Sequence, residues 1–422
     1  MKVLLVPTKK CKFLPLARWR GTLEQEDIPC PYMSLSDHLD MVGVELRATW
    51  TQTRKANGDI VQGRVSSTCK QWKTGKFMHL SMRSWSVNQY CLSKVWFKTH
   101  SVDLRAMDVN SVTSSVKSWL YADQLVKPEE KIMYRPSTQG GLGVHNVKLK
   151  ALAGLIRTFL ETACHPQFQS SLFHSLLFRY HVLEDQSISN PGYPPFYNID
   201  FFNTIRSVHK DSTLNVATMT EKDWYTLLLE DQCTMELVEG GPRRYIPCNA
   251  ENKTPLRNWD ECWRRARLPG LGPENISFLF KLMHNTLVTQ ERLSKTSLTT
   301  SFYCKFPGCP GTEKEDTTHA LFHCPGNNGI GAAILRSIQN FVPGLQAEDA
   351  IFLDFNVADS LELPIVWALA VAWISLWDLR QKRARPQLYL VRAQMEARIA
   401  LLRECSRFAN ASATVDTIIA TI

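Results

Sequence analysis

The sequence predicts a mainly α-helical chain with a small α+β part at its N-terminal end, and three observations point there. Strand-like runs are confined to the first fifty residues, apolar residues beyond them recur at helical spacing, and a Cys-x4-Cys-x9-His-x4-Cys array closes a helical module near residue 324.

The strand-like runs are Lys2 to Val6 and Met41 to Leu46. Ile60 or Val61, Val65, Cys69 and Trp72 then follow a helical stripe, with Asp59 placed as its cap; an Asn57-Gly58 hairpin fits less well, because the residues after it do not alternate. Further helices are expected over Ser86 to Phe97, Ser111 to Tyr121 and Asn146 to Glu161, the last capped by Asn146 after the loop Gly140-Gly141-Leu142-Gly143. That loop lacks the third glycine and the preceding strand of a dinucleotide fingerprint. Residues 167 to 183 read as helix, 188 to 198 as a Pro/Gly/Asn linker, and Glu239 to Pro255 as another break.

A new helical unit opens at Trp259, Cys262, Trp263 and Ala266. Gly272-Pro273 starts the next helix, with Phe278, Leu279, Leu282 and Met283 as its buried stripe, and Thr289 caps a short third one. The Cys/His array follows. Helices over Ile330 to Val342, Leu363 to Arg383 and Gln387 to Phe408 complete the chain. Leu361 to Trp377 is strongly apolar, but Glu362 and Pro364 shorten the run below the roughly 20 residues that span a bilayer, so a buried core helix is expected.

Cys304, Cys309, His319 and Cys324 offer three thiols and one imidazole, the soft donor set of a closed, structural zinc site. Pro307-Gly308 and Pro310-Gly311 bend the chain on either side of Cys309. Glu315 to His323 reads as a short helix that buries Leu321 and turns His319 back towards the two-cysteine turn, and Pro325 ends it. His323 competes as a ligand, and ordinary buried cysteines are the bland alternative in a chain with 12 of them.

With 422 residues, 44 % apolar, the chain can build two to three domains, and its net charge of +9 permits polyanionic partners. Between Arg47 and Arg105 eleven basic residues face two acidic ones, Asp59 and Asp103, interleaved with Trp50, Trp72, Phe77, Trp85, Tyr90, Trp96 and Phe97. That mixture suits phosphate contacts and base stacking; the alternative is a solvated basic face over an aromatic core. A second basic run holds Arg380, Lys382, Arg383, Arg385, Arg392, Arg398, Arg403 and Arg407. The N-terminal apolar run is too short for a signal peptide, which implies a nuclear or cytoplasmic protein, not secreted, with reduced or metal-bound cysteines.

Taken in order, these landmarks resemble one family. Phe280-Lys281-Leu282-Met283-His284, Gln290-Glu291-Arg292-Leu293, Cys304 to Cys309 and Glu315 to Pro325 look like the C-terminal zinc-binding module of LINE-type (non-long-terminal-repeat) retrotransposon reverse transcriptases. Lys10-Cys11-Lys12, Trp19-Arg20-Gly21, Val42-Gly43-Val44, Trp72, Leu92 to Trp96 and Gly140 to Gly143 resemble, in order, the last palm strands and the thumb of those enzymes. The resemblance is weak over 166 to 255 and beyond 345. It implies a palm-end remnant over 1–80, a thumb-like helical domain over 81–165, a connector over 166–255, the zinc-binding module over 256–345 and C-terminal helices over 346–422.

Polymerisation in that family needs an aromatic-x-Asp-Asp turn and a further Asp that hold two metal ions. The chain has no Asp-Asp dipeptide, and Tyr121-Ala122-Asp123-Gln124 lacks the second Asp and falls in the thumb-like region. The expectation is therefore a chain that starts after the catalytic motifs and is no enzyme by itself. It would hold structural zinc and bind RNA or DNA, the element's own RNA or its target DNA, without a membrane, Lys73, Lys76, Arg83, Lys94 and Lys98 tracking phosphates as thumb residues do. The alternative is a structural or protein-interaction helical protein in which zinc only staples a domain. A zinc hydrolase fits poorly, since such a site needs an open coordination position.

Overall fold

A computed structural model describes residues 12–13, 34–35, 37–41, 43–47, 49–72, 78–122, 124–163, 218–234, 257–403 and 409–421. The expected strand over Lys2 to Val6, the helix over 167 to 183, the breaks over 188 to 198 and Glu239 to Pro255, Asp123, and the predicted phosphate contacts Lys73 and Lys76 lie outside them. The described protein is mostly helical, with a small two-stranded antiparallel sheet towards its N-terminal end. It divides into two compact units that interleave along the chain: 1–75, 86–120 and 145–235 form one, and 76–85, 121–144 and 236–422 the other.

In the first unit a hairpin pairs His38–Met41 with Val44–Arg47, Met41 opposite Val44, and Gly43 supplies the positive φ of its turn at 80°. The single strand expected over Met41 to Leu46 is thus folded across a turn. Helix Trp50–Gln71 packs on this hairpin and on helix Ala106–Leu120. It begins ten residues before Ile60, with Thr49 as its cap, so the expectation of an Asp59 cap is corrected. Two tertiary contacts explain the difference. Asn57 turns its amide onto the backbone of Glu45, donating to the carbonyl over 2.7 Å and accepting from the N–H over 3.1 Å. Gly58 lies under the buried Asp108, whose Oδ2 stands 2.2 Å from where a β-carbon would be. Asn and Gly here serve packing inside a helix rather than a turn. Thr53, Asn57, Val61, Val65, Thr68 and Cys69 form its buried stripe.

Over the expected helix Ser86 to Phe97, a π-turn over Val87–Leu92 follows the short helix Leu80–Ser86 and precedes the helix Ser93–Thr99. Helix Val147–Ala163 is capped as expected by Asn146, which accepts from Leu149 N–H over 3.2 Å, and it packs on Glu221–Thr234.

The second unit is organised around helix Asp359–Gln381, in which Ile365 to Leu376 are all buried. Among the described residues it is the one helix long and apolar enough to cross a membrane, and here it forms the core. Helices Gly272–Met283, Ile330–Gln339, Leu388–Arg403 and Ala409–Thr421 cover it, consistent with the buried core helix expected. Asn258 caps Trp259–Arg265 and Thr289 caps Gln290–Lys295. The loop Gly140 to Gly143 belongs to this unit. A β-carbon on Gly140 (φ 77°) would meet the Trp263 indole at 2.3 Å, and His284 Nε2 lies 2.6 Å from the Gly140 carbonyl.

Candidate metal centre

Residues 302 to 315 double back on themselves. Cys304 N–H donates to Glu313 O over 3.0 Å and Glu315 N–H to Phe302 O over 2.9 Å, around an antiparallel bridge between Tyr303 and Lys314. Inside this loop Cys309 N–H reaches Phe306 O over 3.0 Å, and Gly308 (φ 85°) and Gly311 (φ 73°) take left-handed conformations that side chains resist. Cys304 and Cys309 thereby come to one end of the loop.

The other two candidate ligands, His319 within it and Cys324 directly after it, are placed by a short helical segment, Thr317 to His323. It starts two residues later than expected, because Asp316 caps it through its Oδ1, 2.7 Å from His319 N–H. Its last five residues, His319–His323, form a π-turn, and Cys324 N–H donates to His319 O over 2.7 Å. This geometry matters for the site. In an α-helix two residues five apart point about 140° away from each other, whereas a turn closed i→i+5 returns them to one side. His319 and Cys324 therefore face the same loop.

Cys304, Cys309, His319 and Cys324 converge, with their ligand atoms all within 4.8 Å of one another. Cys304 Sγ and Cys324 Sγ are 3.8 Å apart, and Cys309 Sγ and His319 Nε2 3.7 Å. Two sulfurs each about 2.3 Å from one tetrahedral ion stand about 3.8 Å apart, so the group is sized to hold a metal ion. The sequence brought forward these four, and the structure brings them together. His323 is exposed and outside the cluster, as its place in the π-turn dictates.

Residues that sequence reasoning did not single out complete the centre. Glu313 Oε2 lies 2.8 Å from His319 Nδ1, which fixes the tautomer and leaves Nε2 for the metal. Arg380 donates to Cys304 Sγ over 3.1 Å and to Asn327 Oδ1 over 3.2 Å, pairs with Glu315, and lies 4.2 Å over the Phe306 ring. The hydrogen bond from Cys304, and after it the Arg380 guanidinium, pull the Cys324 thiol well below its ordinary value. A cation beside the thiols stabilises the thiolate form that a metal requires. Gly326 admits the loop: a β-carbon there would meet Pro307 O at 2.5 Å.

The predicted phosphate contacts fare differently. Arg83 is buried, and its Nε donates to Met78 O over 2.8 Å. Lys98 is buried too, with Nζ 2.5 Å from Gly43 O and 2.9 Å from Asn57 Oδ1; burial pushes its ammonium below the ordinary lysine value. Both side chains are thus inside the protein and hydrogen-bonded to its own oxygens. Lys94 is exposed, although its Nζ reaches Thr68 Oγ1 over 2.7 Å. The burial had a signal in the sequence: Cys91, Val95 and Lys98 fall at i, i+4 and i+7, one helical face.

No protein-family model matches the chain, and no curated protein shows significant similarity to it.

Proposed function

We propose that the chain binds zinc through Cys304, Cys309, His319 and Cys324 and binds nucleic acid with the unit that the zinc closes. On this reading it is the palm-end, thumb-like and zinc-binding part of a LINE-type reverse transcriptase, and it does not polymerise by itself. The observation that carries the proposal is the convergence of those four soft donors within 4.8 Å. Three thiolates and one imidazole at tetrahedral separations favour zinc over harder ions and leave no open position for hydrolytic chemistry. Support for the family comes from the sequence landmarks, two of which, Gly140 to Gly143 and Trp259 to His284, pack against each other in one unit. RNA or DNA is the partner, at a nuclear or cytoplasmic location without a membrane.

Elemental analysis of the purified chain should return one zinc per chain, and a chelator should weaken RNA binding along with removing it. Binding by phosphate contacts should also fall steeply on a log–log plot against salt. A metal-free, folded chain would sink the zinc assignment, and a flat salt response would sink the nucleic-acid one.

The burial of Arg83 and Lys98 favours a second reading, a structural or protein-interaction helical protein in which zinc only staples a unit. Zinc stoichiometry without any RNA binding would select it.

A further inference from the structure

Three exposed cations, Lys382, Arg383 and Arg385, form the turn that follows helix Asp359–Gln381. The turn is closed by backbone bonds from Arg383 N–H to Arg380 O and from Ala384 N–H to Leu379 O, both 3.0 Å, with Arg383 held at a φ of 52°. These two bonds and the left-handed residue form a regular helix C-terminal cap, which fixes the path of the three cations. Two ties fasten the turn to the metal loop. Arg380 touches Cys304 Sγ at 3.1 Å, and Arg385 donates from two nitrogens to Asn328 Oδ1 over 3.0 and 3.2 Å, while Asn328 Nδ2 returns a bond to Pro386 O over 3.0 Å.

Among the described residues none of the three cations has a carboxylate oxygen within 4 Å, although Asp378 feels the charge of Lys382. The nearby Asp378 is engaged by Arg398, which also holds Glu274. Three neighbouring positive charges repel one another, and holding them together with no direct ion pair suits a polyanion. Arg383 also lines a groove of about 700 Å³ with Phe278, Leu287, Leu293, Ile374 and Trp377 on its apolar side, and with the carboxylates of Glu274 and Asp378, both held by Arg398, on its polar side. Cations beside a groove with one apolar side match a phosphate next to an unstacked base, whose edge can reach the polar side; a duplex keeps its bases stacked and could not use the groove.

We propose that the turn Lys382 to Arg385 takes successive phosphates of a single-stranded nucleic acid and that the groove beside Arg383 takes one of its bases. The proposal rests on the nucleic-acid reading above and gives it a location.

The test uses the full zinc-loaded chain, a fluorescein-labelled single-stranded RNA of about 20 nucleotides and fluorescence anisotropy across a salt series. The variant is Lys382→Ala with Arg383→Asn and Arg385→Ala, asparagine being chosen because it tolerates a positive φ. Loss of three phosphate contacts at about 0.7 each should flatten the log–log salt slope by about 2, with zinc content unchanged. A second variant, Val288→Trp, fills the groove from its half-buried rim and should weaken the same probe several-fold at an unchanged slope. An unchanged slope in the first variant, or unchanged binding in the second, overturns the proposal while wild-type RNA binding keeps the broader reading alive. Displacement of the RNA by polyglutamate as readily as by unlabelled RNA would reassign the turn to acidic polypeptides and overturn it as well. Absence of wild-type binding to any nucleic acid would remove the broader reading and this proposal together.

Discussion

Arg380 donates a hydrogen bond to the Cys304 thiol across 3.1 Å of protein interior, seventy-six residues away in the chain. The same guanidinium pairs with the buried Glu315, whose second oxygen accepts from Gln290 N–H over 3.2 Å. Arg380 thus joins the core helix, the metal loop and helix Gln290–Lys295. Arg380→Met should weaken metal retention by about 10–100-fold, as loss of a group supporting metal ligands typically does. It should also cost about 3–5 kcal/mol of stability, because Glu315 is left buried and unpaired. Adding Glu315→Gln should recover much of the stability without recovering the metal. Chelator competition and thermal melts of both variants separate the two effects, and a single variant that holds metal like the wild type would refute the assignment.

The π-turn brings His319, and not His323, to the cysteine cluster. His319→Ala should lower metal stoichiometry and shift the melting temperature downwards, whereas His323→Ala, on the exposed side, should change neither. Glu313→Ala should lie between them, weakening metal by about tenfold through loss of the bond to His319 Nδ1. Competition against a chelator ranks the three; equal effects at His319 and His323 would contradict the structure.

The four candidate metal ligands were legible because donor chemistry and short spacing are local properties of the chain. The π-turn was not, since an α-turn and a π-turn differ by one residue of hydrogen-bond register that no residue between His319 and Cys324 announces. Glu313 and Arg380 depended on tertiary placement, and Arg380 sat in a basic run that reads as solvated surface. The hairpin around Gly43 and the early start of helix Trp50–Gln71 were hidden for a related reason. Asn57-Gly58 is a turn signal in isolation, and its helical role is set by Glu45 and Asp108, partners drawn from a strand and from another helix. Local pattern carried the helices with continuous apolar stripes; long-range polar contacts carried the rest.

Two glycines in that helix test this account. Gly63 has nothing within 4 Å of its missing β-carbon, so Gly63→Ala should stabilise by about 0.5–1 kcal/mol through helix propensity. At Gly58 the same change places a methyl group 2.2 Å from Asp108 Oδ2. Asp108 cannot swing away, since Arg105 Nε and Nη2 hold it at 2.8 and 2.6 Å. Gly58→Ala should therefore destabilise by about 1–3 kcal/mol despite the better propensity. Denaturant melts reading opposite signs would support the packing described; two stabilised variants would mean that the helix does not sit on Asp108.

His284 gives the second unit a pH dependence of its own. Its Nε2–H donates to Gly140 O over 2.6 Å, the Trp263 indole stacks on its ring with centroids 4.8 Å apart, and among the described residues the buried Nδ1 has no hydrogen-bond partner. Burial, with Arg135 and Arg267 nearby, lowers the imidazole to about 4, against an ordinary value of 6.5. The folded protein therefore holds the ring neutral where the unfolded chain would already be protonated. Between pH 6.5 and about 4 the unfolded state binds more protons, so stability is full above that window and is lost as pH falls through it. The loss amounts to about 3 kcal/mol at the acid end, from 1.36 kcal/mol per pKa unit. His284→Gln keeps a donor for Gly140 O and cannot titrate. Its stability should be lower than the wild type at pH 7 but flatter between pH 6.5 and 4, read from denaturant midpoints; parallel curves would show that His284 is not the group that titrates.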